Sequence, residues 1–410
     1  MNARIAFFTL LLPFVASAQL VTPEVTSWKL NLTNETGYKS IPSNVQKVQY
    51  SADNVYVSCT CIPGYDIGPW PGNPNDAGNQ NFTFKLTRHP QVNDGTKTAT
   101  PNGHIGVWSN GVSIFNASDA RSYNNQNVWF QNALVSEGHT FDDCLGHPAP
   151  NGEYHHHVNP TCLYDDNDST HHSPIIGYAF DGFPIYGAFA NANTDGTGGI
   201  TRIRTSYRLR SITSRTSLPN GTQLTANQYG PDVSAQSPLG TYIQDFEFAE
   251  GSGDLDAHNG RYCITPDFPG GTYAYFVTLN ATGESEYPFT LGPTYYGIVP
   301  AGNTGPQSGH NVPSETVVTY DPTGGVDQTN TRALSIYPNP ATDVVLIGLP
   351  TVDDMPELVI IHDIKGNIVQ RTKYGHTNGE ISIANLASGP YTIESICRSG
   401  MKFFGKVIKQ

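Results

Sequence analysis

Charged residues are scarce in this chain, and positively charged ones are the scarcest. Asp, Glu, Lys and Arg make up 14% of the 410 residues, and 22 Lys and Arg stand against 35 Asp and Glu, which gives a formal net charge of -13. This excess of negative charge disfavours nucleic acid and anionic lipid as partners. Beyond residue 18 the sequence has no apolar run long enough to cross a membrane, so no transmembrane segment is predicted.

Segments with a helical hydrophobic period are also rare. The chain has 41 Gly and 30 Pro, and short β-type runs alternate with turns rich in Gly, Pro, Asn and Asp. The sequence therefore predicts a mainly β protein with one large all-β domain over residues 19–300. Residues 1–18 have the pattern of a secretory signal peptide, with Arg4, an apolar stretch at 6–15 and Ala-Ser-Ala at 16–18.

Histidine is concentrated in one short part of the chain. Seven of the 13 histidines fall between His139 and His172, together with Cys144 and Cys162. A hydrophobic core does not need this density of imidazoles. Such a concentration is typical of a metal site or an acid/base site.

The spacing of these histidines suggests how a metal site forms. If residues 154–157 are extended, His155 and His157 point to the same face, about 6–7 Å apart along the strand, while Tyr154 and His156 share the other face. The turn predicted at 148–152 can bring His147 beside them as a third ligand. Three histidines leave a fourth position open, as in catalytic zinc sites and many copper sites. A hydrogen-bonded histidine cluster without metal is the alternative.

Three further polar residues are candidates for catalytic groups. Asp181 lies among aromatic side chains, where a carboxylate is costly unless it is paired, although it also suits an Asp-Gly turn. His172 precedes an apolar stretch, and His258 belongs to a second polar motif. His104 is a distant ligand candidate, and an ordinary hydrogen-bonded histidine is the alternative. Five arginines between residues 202 and 215 form either an anion-binding patch or a solvated face.

Several motifs around the histidines resemble a known family. The segments Asp-Asp-Cys-Leu-Gly-His at 142–147 and Gly-Glu-Tyr-His-His-His at 152–157 precede a longer one, His-Ser-Pro-Ile-Ile-Gly-Tyr-Ala-Phe-Asp-Gly-Phe-Pro-Ile-Tyr-Gly, at 172–187. Together with the segments at 68–74, 110–116 and 255–263, they resemble the YHYH protein family, a secreted bacterial family named for a Tyr-His-Tyr-His motif. The resemblance covers most of the chain before residue 300, and it does not imply a particular reaction. Residue 156 is His where the motif has its second Tyr.

The positions of two cysteines predict one disulfide. Cys144 and Cys162 flank the histidine strand, and export to an oxidising compartment permits a bond between them. That bond would fix the His147 turn against the strand. Cys263 is a candidate partner for Cys59 or Cys61, and the sequence leaves this pairing open.

The composition changes after residue 300. Residues 301–332 have the Gly-, Pro- and Asn-rich composition of a linker. Residues 333–410, with Tyr-Pro-Asn-Pro at 337–340 and Lys-Val-Ile-Lys-Gln at the end, resemble the C-terminal sorting domain of the type IX secretion system. The resemblance implies a small C-terminal β-sandwich, the type IX secretion machinery as a partner, and a Bacteroidota-type bacterium. It also implies that the protein is secreted or attached to the outer cell surface.

Two functions of different classes follow. The first is a secreted metal-binding protein that holds zinc or copper through His147, His155 and His157, as a metal-dependent enzyme of unknown substrate or without turnover. The second is a non-catalytic surface module for adhesion or binding of a glycan or small molecule. Serine nucleophile chemistry ranks third, because the central domain has no Gly-x-Ser-x-Gly motif.

Overall fold

A computed structural model of the chain describes residues 21–305, 307–322, 331–348, 356–363, 368–373, 380–397 and 402–410. The predicted signal peptide lies outside these residues. The described chain is mainly β, which confirms the predicted fold class. It divides into two compact units, one spanning Pro23–Asp321 and the other containing Pro322–Gln410.

The larger unit consists of short strands with a few short helical segments. Its helices are α1 (Pro23–Thr26) and α2 (Ala133–Glu137), with 3-10 turns at Tyr38–Ser40, Tyr123–Asn125, Gly138–Thr140, Ala226–Gln228 and Ile243–Asp245. Its strands are β1 (Val45–Tyr50), β2 (Asn54–Cys59), β3 (Phe82–Thr87), β4 (His104–Trp108), β5 (Ser113–Phe115), β6 (Ser118–Ser122), β7 (Phe130–Asn132), β8 (His147–Pro148), β9 (Tyr154–His156), β10 (Ile175–Ala179), β11 (Pro184–Tyr186), β12 (Phe189–Asn191), β13 (Ile200–Arg202), β14 (Tyr207–Leu209), β15 (Phe246–Phe248), β16 (Gly260–Cys263), β17 (Thr272–Phe276) and β18 (Val318–Thr319).

An eight-stranded mixed sheet forms the centre of this unit. Its strand order is β16-β17-β11-β10-β4-β5-β9-β8, and a four-stranded sheet has the order β18-β1-β2-β3. Every residue of β4, β10 and β17 is buried, as expected for strands covered on both faces. The histidine strand β9 runs parallel to β5, and β8 closes this edge antiparallel to β9.

Part of the predicted linker packs on the large unit. The Asn303 side chain donates to the Lys85 carbonyl oxygen (2.6 Å), and the Asn311 backbone N–H donates to that of Thr83 (3.0 Å). The β18 strand pairs with β1. Residues 303–305 and 307–319 thus belong to this unit, and the predicted domain bounds stay predictions.

The five arginines between residues 202 and 215 do not form one exposed patch. Arg204 and Arg208 make ion pairs at the surface with Asp254 and Glu247, whereas Arg210 and Arg215 are buried. Arg215 and its partner Asp245 are both 0% exposed.

Two hydrogen bonds join this buried pair. Arg215 Nε and Nη2 donate to the two Asp245 carboxylate oxygens at 2.7 and 2.8 Å. The guanidinium also donates to the Pro231 and Pro238 carbonyl oxygens (2.8 and 2.9 Å), and the carboxylate accepts from the Gly240 and Tyr242 N–H groups (3.0 and 3.1 Å). One ion pair therefore holds the long loop between β14 and β15 together.

The C-terminal unit has the two sheets expected of a β-sandwich. One contains β19 (Thr331–Ala333), β22 (Pro356–His362), β23 (Ile368–Lys373), β25 (Gly389–Cys397) and β26 (Lys402–Lys409), and the other contains β20 (Ser335–Tyr337), β21 (Val344–Gly348) and β24 (Glu380–Ser382). Val345 and Ile381 of the smaller sheet share a buried core with Ile361, Ile393 and Phe403 of the larger sheet.

Candidate metal centre

Three buried imidazoles converge at the edge of the central sheet. In the β8–β9 pair, His147 lies directly opposite His155, and His157 follows β9 on the same face. One nitrogen of each ring lies within 4.8 Å of the other two, and the Nε2 atoms of His155 and His157 are 3.2 Å apart. The side chains come together because strand pairing sets the position of His147 and the pleat sets the other two.

The opposite nitrogen of each ring is held by an oxygen. His155 Nδ1 donates to the Glu153 carbonyl oxygen (3.0 Å), and His157 Nδ1 donates to that of Asn116 (2.6 Å). A carbonyl oxygen only accepts, so the proton of each neutral ring is on Nδ1 and the lone pair is on Nε2.

The third ring has the same arrangement through a hydroxyl. Thr140 Oγ1 lies 2.7 Å from His147 Nδ1, and it donates its single proton to the Glu137 carbonyl oxygen at 2.8 Å. His147 Nδ1 therefore donates to the hydroxyl, and its Nε2 carries a lone pair. All three Nε2 lone pairs face one another, as they do in histidine metal sites whose outer nitrogens are fixed by hydrogen bonds.

The residues fit a metal ion on two further observations. His147 Nε2 is buried and has no hydrogen-bond partner among the described residues. Burial and the neighbouring His157 lower the pKa of His147 to about 4, and burial together with the neighbouring histidines holds the pKa of His155 well below its ordinary value. Both rings are thus neutral near pH 7, which is the form that binds a metal.

Aromatic rings fix the orientation of two of the imidazoles. Phe115 stacks on His155 with ring centroids 3.8 Å apart, and Phe141 meets His147 edge-on at 4.8 Å. These contacts reduce the rotamer freedom of the histidines, so metal binding costs little further side-chain entropy.

A carboxylate lies beside the triad and lines the same cleft. Glu137 Oε2 is 3.3 Å from His157 Nε2 and 3.8 Å from His147 Nε2. Burial alone would raise the pKa of Glu137, but a hydrogen bond and charge from His157, together with the charge of His147, lower it overall when these rings are protonated. The cleft has a volume of about 620 Å³, and the triad, Glu137, Asp119 and Arg121 are among its lining residues.

Sequence reasoning missed Glu137. The residue ends α2, which Asn132 caps by accepting the Leu134 N–H, and the 3-10 turn Gly138–Thr140 follows directly. Glu137 and Thr140 thus reach the triad from one short turn. The available signal was an acidic residue two positions before the start of the histidine-rich segment.

The other face of β9 has a different role. The Tyr154 hydroxyl lies 3.0 Å from Asp142 Oδ2, an atom that also accepts from Trp70 Nε1 at 3.0 Å. His156 is completely buried beside the Tyr154 and Trp108 rings, and burial lowers its pKa to about 3. The predicted alternation of side chains along residues 154–157 is confirmed.

The predicted disulfide is present. Cys144 and Cys162 are bonded, with Cα atoms 5.2 Å apart, and all three triad histidines lie between these cysteines, which are 18 positions apart in the sequence. The suggested pairing of Cys263 with Cys59 or Cys61 is wrong, because all three are buried free thiols.

Two family models match the chain. Residues 83–286 match the YHYH protein model, and residues 335–410 match that of the secretion system C-terminal sorting domain. The region over residues 83–286 belongs to the YHYH family. No curated protein matches the chain. The sorting domain marks this YHYH protein as secreted or attached to the outer surface and implies contact with the type IX secretion machinery. No described helix is both long and apolar enough to span a membrane.

The family motif coincides with the triad in this YHYH protein. Its two histidine positions are His155 and His157, and both face the cleft. The position of its second Tyr is occupied by His156, which faces away from the triad. The change from Tyr to His thus falls outside the group of converging nitrogens.

The three residues predicted as catalytic candidates lie in other surroundings. Asp181 accepts from the Tyr275 hydroxyl (2.6 Å) and the Gly297 N–H (2.8 Å), and burial raises its pKa to about 6. His172 Nδ1 lies 2.8 Å from the Ser173 carbonyl oxygen, and His258 Nδ1 lies 3.0 Å from that of Thr294. Their described contacts do not include the triad, so a catalytic role for any of them stays a prediction.

Proposed function

We propose that the YHYH domain binds one zinc or copper ion through Nε2 of His147, His155 and His157 at the cell surface. The supporting observation is the set of three Nδ1–H···O hydrogen bonds, which leaves the lone pairs on three ring nitrogens that lie within 4.8 Å of one another. Without a cation these lone pairs repel one another. Three neutral imidazoles are a ligand set that suits both zinc and copper.

The side of the triad that faces the cleft gives the proposed site its chemistry. A zinc ion held there supplies an activated water for hydrolysis, whereas copper supplies redox chemistry. The Glu137 carboxylate lies at this side and is half-buried, so it can accept a proton from a group bound between it and the histidines. The protein therefore combines metal ligands, a proton acceptor and a cleft of about 620 Å³, which is large enough for a small substrate.

Metal content tests this proposal. The chain from Gln19 onwards, without a histidine tag and exported to an oxidising compartment, is expected to contain about one zinc or copper ion by elemental mass spectrometry. Absence of metal, with an unchanged unfolding temperature after zinc or copper is added, would contradict the proposal. That result would favour the non-catalytic binding module, and a glycan array would test it next.

The charge of Glu137 is expected to strengthen metal binding. Glu137→Gln keeps the shape of the side chain and removes a negative charge 3.3 Å from one ligand nitrogen. Loss of such a group weakens metal affinity by about 10-fold or more. Competition with a chelating dye measures the change.

Asp119→Asn is the matched control for Glu137→Gln. Asp119 lines the same cleft, and its carboxylate accepts the Arg121 backbone N–H. An equal loss of affinity in both variants would show that the overall negative charge of the cleft strengthens metal binding and that Glu137 has no specific role.

A further inference from the structure

A second cleft contains a serine, a histidine and a carboxylate in line. Its volume is about 520 Å³, and Gln80, Asn102, His104, Glu153, Ser308 and His310 are among its lining residues. His104 Nε2 lies 2.8 Å from Ser308 Oγ, and His104 Nδ1 lies 2.8 Å from Glu153 Oε1. We propose that Ser308, His104 and Glu153 form a nucleophilic site for small carboxylic esters, separate from the metal centre.

The two supporting residues are buried and held firmly. Glu153 is 5% exposed and His104 is 8% exposed. The imidazole meets the rings of Phe82, Phe84 and Phe180 edge-on, with centroids 5.4 to 5.7 Å away. Because these rings enclose the imidazole, its two nitrogens keep their directions toward the carboxylate and the hydroxyl. This is the orientation that a general base requires.

The carboxylate decides which nitrogen acts as the base. An imidazole that donates from Nδ1 to the Glu153 carboxylate has its lone pair on Nε2, the nitrogen that faces Ser308. Ser308 Oγ is also 2.7 Å from the Gly305 carbonyl oxygen and 3.1 Å from that of Asn303. Rotation of the hydroxyl hydrogen from these carbonyls to His104 Nε2 prepares the serine without moving a heavy atom.

The reaction then follows from these positions. Ser308 Oγ bonds to the ester carbonyl carbon, and its proton passes to His104 Nε2. The bond to the leaving oxygen breaks, and the alcohol departs with that proton, which leaves an acyl group on Ser308. A water molecule then attacks the acyl carbon with His104 as base, and the carboxylic acid is released as Ser308 regains its proton.

An amide in the same cleft can stabilise the negative oxygen that develops on the substrate. Asn102 lines the cleft, and its side-chain oxygen accepts from the Ser118 hydroxyl at 3.0 Å. Ser118 Oγ also lies 2.9 Å from Asn116 Oδ1, and the Asn102 N–H groups have no described partner, so they can serve as donors. Oxyanion stabilisation by side-chain amides is a known device in acyl transfer.

A fluorophosphonate probe tests the proposal on the chain from Gln19 onwards. Attack by Ser308 Oγ forms a bond to phosphorus and releases fluoride, so a stable adduct remains on the serine. Peptide mass mapping is expected to locate the adduct on Ser308. Ser308→Ala should abolish this adduct, and His104→Phe should slow labelling by about 100-fold or more, since a general base contributes at least that much.

Two controls keep the outcome specific. Ser136→Ala removes a hydroxyl that lines the other cleft and donates to the Asn132 carbonyl oxygen, and it should leave labelling unchanged. Labelling should also persist after a chelator has removed any bound metal, because the proposed step uses no metal. No adduct on Ser308, under conditions where a known serine hydrolase is fully labelled, would overturn the proposal. It would show that the serine only ties the segments 302–305 and 307–310 to the sheet.

Discussion

His155→Ala and His157→Ala are each expected to remove the bound metal, whereas a change at His156, which lies between them, is expected to leave it in place. Each alanine variant deletes one of three converging nitrogens, and two imidazoles hold zinc or copper far more weakly than three. We expect affinity to fall by at least about 100-fold, since even groups behind the ligands contribute 10- to 100-fold. Elemental mass spectrometry and chelator competition measure the loss.

The control at residue 156 is His156→Phe. Phenylalanine fills the space beside Tyr154 and Trp108 and removes both ring nitrogens, so the packing of the other face is largely kept. Metal content equal to that of the unchanged protein is the expected result. An equal loss in all three variants would contradict the assignment of His155 and His157 to the metal-binding face.

Arg215→Met is expected to lower the free energy of unfolding of the larger unit by about 3–5 kcal/mol. The substitution leaves the Asp245 carboxylate buried at 0% exposure without its cation, and breaking a buried pair in this way costs about that much. All four tryptophans lie in the larger unit, so denaturation followed by tryptophan fluorescence reports this unit alone.

Arg208→Met provides the matched control for Arg215→Met. Arg208 pairs with Glu247 at 2.9 Å, but its side chain is 64% exposed, so the same substitution should cost within about 1 kcal/mol. The Arg215→Met/Asp245→Leu double variant should recover part of the lost stability, because no unpaired charge remains. Similar losses for Arg215→Met and Arg208→Met would show that the buried pair has no special role.

The parts of the site that local sequence determines were predictable. The alternation of side chains along a strand placed His155 and His157 on one face, and the turn before them brought back His147. The disulfide was also predictable, since Cys144 and Cys162 flank the same strand. These features depend on residues fewer than 20 positions apart.

The features that were missed depend on distant segments or on burial. Glu137 reaches the triad from the end of α2, and no spacing rule places that end beside the histidines. Ser308 meets His104 across 204 positions of sequence, without a short motif. Arg215 belongs to a run of arginines that suggested an exposed face. Its burial depends on a partner 30 positions away, which composition does not reveal.

The disulfide around the histidines has a consequence for the supply of the metal. Thiols stay reduced in the cytoplasm, so the bond between Cys144 and Cys162 forms only after export. All three proposed ligands lie between these cysteines, and the loop that presents them is therefore closed outside the cytoplasm. The proposed site then draws its ion from the extracytoplasmic pool. Which of the two metals it carries is decided by what that surrounding medium offers as much as by the affinity of three imidazoles.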